Sequence, residues 1–330
     1  MNRLRIGVAG VGHLGSLHAK MLSRIESAQL VGVYDVDQER AQSVANEHRT
    51  KAFESLDELL AGVQALSVAT VTSSHFEVGR RALQAGVHLF VEKPLTTTIA
   101  EGRTLVRESE ERQLKIQVGH IERFNPALLA LEPYHINPLF IESHRLAQFN
   151  PRGSDVAVVL DLMIHDIDLI LSLVHSPVER IDANGVAVVS TSPDIANARL
   201  QFKNGCVANV TASRISQNKM RKMRLFQTDA YISIDFAQGL AEVFRIVDEN
   251  APGIKPTMLL GKIDQGQRKR VIVYEQPEVK EVNSLEYELE LFVRSVLQDT
   301  EPPVTGREGL QALEVAHEIL SKIESQNLSV

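Results

Sequence analysis

Apolar and polar positions change period regularly from the N-terminus to about Val118. Short apolar runs with a period near two predict strands at Leu4–Ala9, Gln29–Tyr34, Ala65–Ala69, Val87–Val91 and Lys115–Val118. Helical spacing fills the gaps at Leu14–Ile25, Gln38–His48, Leu56–Leu60, Glu77–Ala85 and Ile99–Arg112. Regular alternation of strand and helix predicts a doubly wound parallel sheet with right-handed crossovers.

The pattern changes in the second part of the chain. A helix is predicted at Val158–Val174, and strand-like runs then follow one another without helices between them, at Ile181–Ser190, Ala196–Phe202, Val207–Ala212, Lys222–Phe226, Tyr231–Ile234 and Val271–Tyr274. Consecutive strands predict a mostly antiparallel sheet. The Gly- and Pro-rich segment Ala251–Gln267 is predicted to be a mobile loop, and two helices, Leu285–Leu297 and Gly306–Ser325, close the chain.

A glycine-rich turn, Gly10 to Gly15, joins the first predicted strand to the first helix. In this setting Gly10 allows a tight turn, Gly12 removes a Cβ that would block a pyrophosphate, and Gly15 lets the helix pack closely. The pyrophosphate would bind the free N–H groups of the helix N-terminus. Asp35 ends the second strand and can accept the adenosine ribose hydroxyls while repelling a 2′-phosphate. Because Asp37 is the better N-cap for the next helix, Asp35 is left free for the ribose, and the sequence predicts NAD, with NADP less favoured.

Composition narrows the class of protein. The chain has 330 residues, enough for two domains, and a formal charge of −7 from 35 basic and 42 acidic residues. This charge argues against nucleic acid as a partner. The single cysteine, Cys206, cannot form an internal disulfide, which favours a reducing compartment. Since no signal peptide or membrane span is recognisable, we expect a cytoplasmic protein with no membrane partner.

Several chemically useful side chains follow directly on predicted strands. Because the carboxyl ends of parallel strands meet at one edge, these residues should line one crevice: Asp35, Thr70, Glu92, Lys93 and His120. Lys93 precedes Pro94, and a lysine held there can point at a substrate hydroxyl. The alternative is an ordinary surface lysine paired with Glu92.

A second group lies on the predicted helix Val158–Val174. Asp161 and His165 are four residues apart and therefore share one face, which Asp168 continues. A carboxylate beside an imidazole fixes its tautomer and raises its basicity, as a general base requires. The alternative is a helix-surface ion pair. Asp166 is out of phase with this face, so we expect it to be solvated or bonded to backbone.

These motifs together resemble the glucose-fructose oxidoreductase / inositol dehydrogenase / MocA family. The turn Gly10–Gly15, the string Glu92-Lys93-Pro94, the string Asp161–Asp168 and the closing helix match in order and spacing. The resemblance implies an α/β fold: a Rossmann domain at 1–122, and at 123–330 a substrate-binding and oligomerisation domain built on a large, mostly antiparallel open sheet.

The resemblance also implies roles for individual residues. Lys93 would orient the reacting hydroxyl, His165 would be the general acid/base, and Asp161 would orient the site and bond the substrate. The cofactor would contact Gly10, Gly12, His13, Leu14, Gly15, Asp35, Thr70, His75, Glu92 and Lys93. The substrate would contact Lys93, His120, Arg123, Asp161 and His165. No metal is expected.

The substrate class rests on two further strings. Gly119–Pro126 and Pro151–Asp155 resemble a subgroup of nucleotide-sugar 3-dehydrogenases, such as those acting on UDP-N-acetylglucosamine. A diphosphate needs cations. A basic cluster could supply them or could be a solvated hairpin or subunit rim: Arg214, Lys219, Arg221, Lys222 and Arg224. Arg123 is the better single candidate for a substrate contact.

Three functions remain compatible with the sequence. The first is an NAD-dependent dehydrogenase of a sugar, cyclitol or nucleotide sugar. The second is a glycosidase that oxidises its substrate transiently without net NADH production, and the third is a non-catalytic NAD- and sugar-binding regulator. Crowded apolar positions in the second domain predict a homodimer or homotetramer joined through its sheet: Val186, Val188, Val189, Val207, Val210 and Ala212.

Overall fold

A computed structural model of the chain describes residues 3–149, 156–249, 257–265 and 268–327. In chain order the elements are β1 (Leu4–Ala9), α1 (His13–Leu22), β2 (Ala28–Tyr34), α2 (Gln38–His48), β3 (Lys51–Ala52), α3 (Leu56–Gly62), β4 (Ala65–Val68), α4 (His75–Gln84), β5 (His88–Glu92), α5 (Ile99–Glu111), β6 (Ile116–Gly119), α6 (Pro126–Leu129), β7 (Phe140–Leu146), α7 (Ile164–Val174), β8 (Val178–Val186), β9 (Ile195–Phe202), β10 (Val207–Ser213), β11 (Met220–Phe226), β12 (Ala230–Asp235), β13 (Leu240–Asp248), β14 (Met258–Gln265), β15 (Arg268–Glu275), α8 (Ser284–Gln298) and α9 (Gly306–Asn327).

The chain divides into two compact units. The first comprises Met1–Ile121 and Asn283–Glu314, and the second comprises Glu122–Val282 and Val315–Val330. This division differs from a single boundary after residue 122, because α8 belongs to the core of the first unit. Leu289, Phe292 and Val293 of α8 are fully buried in one hydrophobic cluster with Leu4 and Ile6 of β1. An amphipathic helix joins whichever unit buries its apolar face, whatever its place in the sequence.

The first unit contains a six-stranded sheet in the order β3-β2-β1-β4-β5-β6, and every pairing in it is parallel. The predicted parallel sheet is therefore confirmed. Strand order reverses between β1 and β4, and ligands of such sheets bind at this switch point, outside the carboxyl ends of the strands. Local sequence supports the helices: Asp37 caps α2 by accepting from the Arg40 backbone N–H, and Thr98 caps α5 by accepting from the Glu101 backbone N–H.

The second unit contains a nine-stranded sheet in the order β14-β15-β13-β12-β11-β7-β10-β9-β8. Strand β7 pairs in parallel with β10, and the other pairings are antiparallel, which confirms the predicted mostly antiparallel sheet. Helix α7 packs against β7 and β10. Apolar residues of alternate strand positions form the core beneath this helix: Ala198, Leu200, Ala208, Val210, Met223 and Leu225.

The opposite face of this sheet is partly exposed and carries an unusual stripe. The rings of five residues on five neighbouring strands follow one another with centroids 5.0–5.7 Å apart; they are Phe140, Phe226, Tyr231, Phe244 and Tyr274. We call this stripe the aromatic row. Each ring lies opposite the next in the strand register, from β7 across β11, β12 and β13 to β15.

Two expectations for the second unit need correction. Val186, Val188 and Val189 are more than half exposed, as expected for a contact surface, but Val210 and Ala212 are fully buried on the α7 side. The predicted loop Ala251–Gln267 contains strand β14, which pairs with β15 at the edge of the sheet; residues 250–256 and 266–267 lie outside the described part. Among the described residues, no helix is long and apolar enough to cross a membrane.

Candidate active site

The glycine turn has the geometry that a dinucleotide requires. Gly10 has a φ of +81°, and a Cβ there would lie 2.7 Å from the Thr70 backbone nitrogen. A Cβ at Gly15 would lie 1.7 Å from the Gly10 carbonyl oxygen, so only glycine lets α1 approach the turn. A Cβ at Gly12 would meet no atom within 4 Å, which leaves open space beside the N-terminus of α1. His13 and Leu14 are exposed there. The residues present therefore fit a pyrophosphate at this helix N-terminus.

Asp35 lies at the carboxyl end of β2 but is not free of protein partners. One carboxylate oxygen accepts the Val11 backbone N–H at 2.7 Å, and the other accepts the Asp37 backbone N–H at 2.9 Å. Asp35 thereby ties the glycine turn to β2. Arg40 lies 3.5 Å from the same carboxylate. Each oxygen has a second lone pair, so a ribose hydroxyl can still donate to this carboxylate.

Lys93 is flanked by two residues that buried histidines hold. On one side, Glu92 Oε1 lies 3.0 Å from His18 Nε2. Burial alone would raise the pKa of Glu92, but contact with His18 and the positive charge of Lys93 bring that pKa below its usual range. On the other side, His75 Nδ1 lies 2.9 Å from the Pro94 carbonyl oxygen across a cis Lys93–Pro94 bond.

His75 also lies 3.2 Å from the Thr70 carbonyl oxygen through Nε2. Burial lowers the pKa of His75, outweighing the two carbonyls that raise it. A neutral imidazole has one N–H to donate, and the shorter contact is the one to Pro94. His75 thus joins the segment after β4 to the segment after β5 and is itself buried.

Sequence reasoning missed three residues of the first unit. Val36 and Val71 are 88% and 70% exposed and directly follow Asp35 and Thr70, at the sheet edge where ligands of parallel sheets bind. The sequence signal that could have found Val36 and Val71 is an apolar residue directly after the polar residue that ends each strand. His18 was missed because its helix reads as amphipathic, and its position on the buried side of α1 shows only in the structure. His120, as predicted, follows β6; it is buried.

The second unit presents Asp161 and His165 at a break in helical geometry. Val159–Met163 forms one π-helical turn, and α7 continues from Ile164. The predicted helix over Val158–Val174 is therefore confirmed, with a first turn that is π-helical rather than α-helical. Both side chains are partly exposed, whereas Met163 and Ile164 between them are fully buried. π-turns of this kind occur frequently at functional sites.

Asp166 and Asp168 are both buried and paired with arginines. Asp166 is buried and accepts hydrogen bonds from Ser143 Oγ at 2.9 Å and from Arg145 Nε at 2.7 Å. The expectation of a solvated or backbone-bonded Asp166 is wrong, since a buried carboxylate needs charged partners. Asp168 is also buried, where it receives two hydrogen bonds from Arg123 at 2.7 and 2.6 Å. The prediction that Asp168 continues the face of Asp161 stays a prediction, and its pairing with Arg123 was not expected from the sequence.

A charged network fixes α7 to the sheet. Arg145 of β7 bonds both Asp166 and, at 2.8 Å, Glu122. Glu122 also accepts from Arg221 at 3.0 Å. Burial alone would lower the pKa of Arg145, but the two carboxylates raise it above its ordinary value, so the guanidinium stays charged.

The basic cluster has carboxylate partners. Arg214 contacts Asp194 and donates to the Val156 carbonyl, while Arg221 contacts Glu122. Lys222 lies 3.1 Å from Asp235, Arg224 lies 3.5 Å from Glu142, and Lys219 is exposed. The cluster is thus neither a continuous solvated run nor a preformed phosphate cradle. Pro151–Asp155 lies outside the described residues. In the part of the chain that the structure covers, no three His, Cys, Asp or Glu residues are grouped to hold a metal ion.

Comparison with known proteins places the chain in a family. Residues 4–120 match the model of the oxidoreductase family with an NAD-binding Rossmann fold, and residues 140–233 match the GFO/IDH/MocA C-terminal domain. The chain is 44% identical over 255 residues to UDP-N-acetylglucosamine 3-dehydrogenase from Acidithiobacillus ferrooxidans, covering 77% of this chain and 81% of that protein.

Two further comparisons span nearly the full length. A solved structure of the same Acidithiobacillus ferrooxidans enzyme superimposes with a TM-score of 0.88 at 36% identity, covering 98% of this chain and 99% of that one. Myo-inositol 2-dehydrogenase from Thermotoga maritima is 26% identical over 341 residues, covering 98% of this chain and 97% of that protein. The chain belongs to the GFO/IDH/MocA oxidoreductase family, and its N-terminal part is an NAD-binding Rossmann domain.

Proposed function

We propose that this protein is an NAD-dependent dehydrogenase that oxidises the 3-hydroxyl group of UDP-N-acetylglucosamine or a closely related nucleotide sugar. The observation that carries the proposal is the 44% identity to a UDP-N-acetylglucosamine 3-dehydrogenase across 81% of that enzyme. Lys93, Asp161 and His165 supply the acid–base groups that oxidation of a secondary alcohol requires.

The reaction breaks one C–H bond and one O–H bond of the substrate and forms a carbonyl group. Gly10, Gly12 and Gly15 would hold the dinucleotide, which would supply the hydride acceptor. His165 accepts the hydroxyl proton and passes it to solvent. Asp161 holds the imidazole in the required tautomer and bonds the substrate, and Lys93 directs its ammonium group at the reacting oxygen. Arg123, whose side chain is 12% exposed, contacts the sugar, whereas His120 is 1% exposed and supports the site from within the unit.

The preference for NAD over NADP is part of the proposal. Two observations support Asp35 as the residue that selects NAD: it lies at the end of β2, and the backbone N–H groups of Val11 and Asp37 donate to its carboxylate. A 2′-phosphate next to this carboxylate would bring two negative charges together. Arg40 would offset only part of that repulsion, since it also contacts Asp37 at 3.0 Å.

The assembly we propose is a homodimer or homotetramer joined through the exposed face of the nine-stranded sheet. The aromatic row supports it, because five adjacent rings on one solvent-facing stripe are typical of a surface that another subunit covers. Multi-angle light scattering at micromolar concentration tests this assembly, and a monomer would contradict it.

A substrate screen tests the activity. Purified protein is incubated with NAD or NADP and with UDP-N-acetylglucosamine, free N-acetylglucosamine, hexoses or myo-inositol, while NADH absorbance is followed. We expect the nucleotide sugar with NAD to give the highest kcat/KM and a product two hydrogens lighter by mass spectrometry. We expect His165→Ala and Lys93→Met each to lower kcat by about a hundredfold, as loss of general acid–base catalysis does. Lys280→Met, at an exposed lysine, is the matched control.

Other outcomes would redirect the assignment. Faster oxidation of myo-inositol would contradict the nucleotide-sugar substrate. Release of UDP without net NADH would indicate hydrolysis through transient oxidation. Tight NAD binding with no turnover of any sugar would indicate a regulator.

A further inference from the structure

Three buried polar side chains lie together beneath the Lys93 segment in the first unit. His18 of α1, Ser67 of β4 and Glu92 of β5 form a chain in which His18 Nδ1 lies 2.8 Å from Ser67 Oγ and His18 Nε2 lies 3.0 Å from Glu92 Oε1. His18 and Ser67 have no exposed surface, and the Glu92 side chain is 13% exposed. A serine and histidine shielded in this way cannot reach a substrate, so the group of His18, Ser67 and Glu92 is not a hydrolytic site.

The Glu92 carboxylate occupies a space shaped for it. A Cβ at Gly119 would lie 2.9 Å from Oε1 and 3.1 Å from Oε2, so the glycine at the end of β6 leaves room for both oxygens. On its other side, the His18 ring packs edge-on against Phe90 at a centroid distance of 5.5 Å. The His18 imidazole and the Glu92 carboxylate are therefore both fixed by packing as well as by polar contacts.

The partners of His18 determine which of its two ring nitrogens carries the proton. Because an ionised carboxylate only accepts, the 3.0 Å contact of His18 Nε2 with Glu92 Oε1 is favourable only when Nε2 carries a proton. With that proton in place, a neutral imidazole has an acceptor at Nδ1, and the Ser67 hydroxyl can donate to it. Ser67 thus selects the tautomer that keeps His18 turned toward Glu92, as second partners do for metal-binding histidines.

The residue after Lys93 is held as well. The Pro94 carbonyl oxygen lies 2.9 Å from His75 Nδ1, and His75 is buried. Lys93 therefore lies between two residues whose positions are set by interior histidines, while its own side chain is partly exposed. This arrangement leaves the lysine few backbone positions to choose from.

We propose that His18 is a positioning residue for Lys93, acting through Glu92. By fixing Glu92, the residue before Lys93, His18 restricts the backbone from which the Lys93 side chain reaches the substrate hydroxyl. The catalytic consequence rests on the proposed role of Lys93, whereas the positioning itself can be tested without substrate.

A matched pair of variants separates positioning from packing. His18→Gln and His18→Asn both place a neutral amide on the buried side of α1. The glutamine amide has the reach to donate to Glu92, and the shorter asparagine amide has not. Ser67→Ala removes the tautomer-selecting hydroxyl and leaves His18 present.

The kinetic test compares the loss of kcat in each variant with its change in affinity for NADH. We expect His18→Asn to lower kcat on the nucleotide sugar about tenfold or more with NADH affinity within about threefold, and His18→Gln to recover most of the loss, since misplacement of a catalytic group costs rate rather than remote binding. Ser67→Ala should fall between them. If both His18 variants lose kcat equally, or neither does, the positioning role is wrong.

The second readout needs neither substrate nor cofactor. Trace acetylation with acetic anhydride, read by mass spectrometry, reports the reactivity of Lys93 relative to exposed Lys280. If His18 restricts the backbone on which Lys93 stands, its loss gives the lysine side chain more freedom to meet the reagent. We therefore expect relative labelling of Lys93 to rise at least about threefold in His18→Asn and to stay near wild type in His18→Gln. Unchanged labelling in His18→Asn would overturn the inference even in an active enzyme, and the expected change would support it even if no sugar were oxidised.

Discussion

Removal of the Arg145 guanidinium should destabilise the protein far more than removal of an exposed arginine in a similar ion pair. Arg145→Met deletes hydrogen bonds of 2.7 and 3.3 Å to Asp166 and of 2.8 Å to Glu122. The Arg145, Asp166 and Glu122 side chains are only 6%, 2% and 7% exposed. Arg180 pairs with Asp182 at a comparable 2.8 Å, but there the side chains are 65% and 46% exposed.

The expected loss of stability depends on which hydrogen-bond partners Asp166 and Glu122 keep in Arg145→Met. Breaking a buried pair by removing one partner costs about 3–5 kcal/mol, because a buried charge is left uncompensated. Asp166 keeps Ser143, and Glu122 keeps Arg221 and Asn125, so the lower end, about 3 kcal/mol, is expected. Arg180→Met should cost about 0–1 kcal/mol.

Differential scanning calorimetry measures both variants under the same conditions. A loss of about 3 kcal/mol corresponds to a fall in Tm on the order of 6–12 °C for a unit of this size, against at most about 4 °C for Arg180→Met. The double variant Arg145→Met with Asp166→Asn should recover part of the loss by removing one stranded charge. A fall in Tm for Arg145→Met no larger than for Arg180→Met would refute the reasoning.

Three further changes have expected outcomes. Gly15→Ala should abolish NADH binding, measured by fluorescence titration, because its Cβ would lie 1.7 Å from the Gly10 carbonyl oxygen; retained affinity would contradict the turn geometry. Asp35→Ser should raise the kcat/KM ratio of NADP to NAD at least about tenfold by removing charge repulsion, and an unchanged ratio would exclude Asp35 as the selector. Burial alone would raise the pKa of Asp194, but N–H groups of Val188, Val189 and Ser190 hold that pKa well below its ordinary value. The folded state thus resists protonation of Asp194, and the stability that this carboxylate contributes is present above about pH 4 and lost as pH falls further. The free energy of unfolding, measured by urea titration, should therefore fall less steeply below about pH 4 in Asp194→Asn than in the wild type. An equally steep fall in Asp194→Asn would contradict this assignment.

The features that sequence predicted well are those set by neighbours along the chain. Alternation of apolar runs and helical spacing predicted the parallel sheet, and the three glycines of the turn have the spatial roles expected of them. Asp37 caps α2 as its position indicated. Each of these depends on backbone geometry within a few residues, which local sequence encodes.

Strand β7 was not predicted, and its sequence explains why. Phe140–Leu146 alternates Ile141 with buried Ser143 and Arg145, so its inward face does not read as apolar. The burial of Arg145 is compensated by Asp166, 21 residues away, and by Glu122, 23 residues away in the other direction. A pattern of hydrophobicity along one segment holds no information about such long-range partners.

The same limit explains the surprises in the candidate site. Asp166 was expected to be solvated or bonded to backbone, but it is buried and pairs with Arg145 of β7. Asp168 is buried as well and pairs with Arg123 from the turn before α6. The π-turn at Val159–Met163 also escaped prediction, because it changes hydrogen-bond spacing without changing composition. Strand β14 forms from a segment rich in turn residues because β15 offers it a pairing edge.

Hydride transfer from a nucleotide sugar to NAD is the central claim, and an isotope label tests it most directly. UDP-N-acetylglucosamine carrying deuterium at C3 is incubated with the protein and NAD, and the reduced cofactor is analysed by mass spectrometry. The account predicts that the deuterium appears in the reduced nicotinamide, with a 3-keto sugar as the other product. Reduced cofactor without deuterium, or no reduced cofactor under conditions where NAD binds, would contradict it.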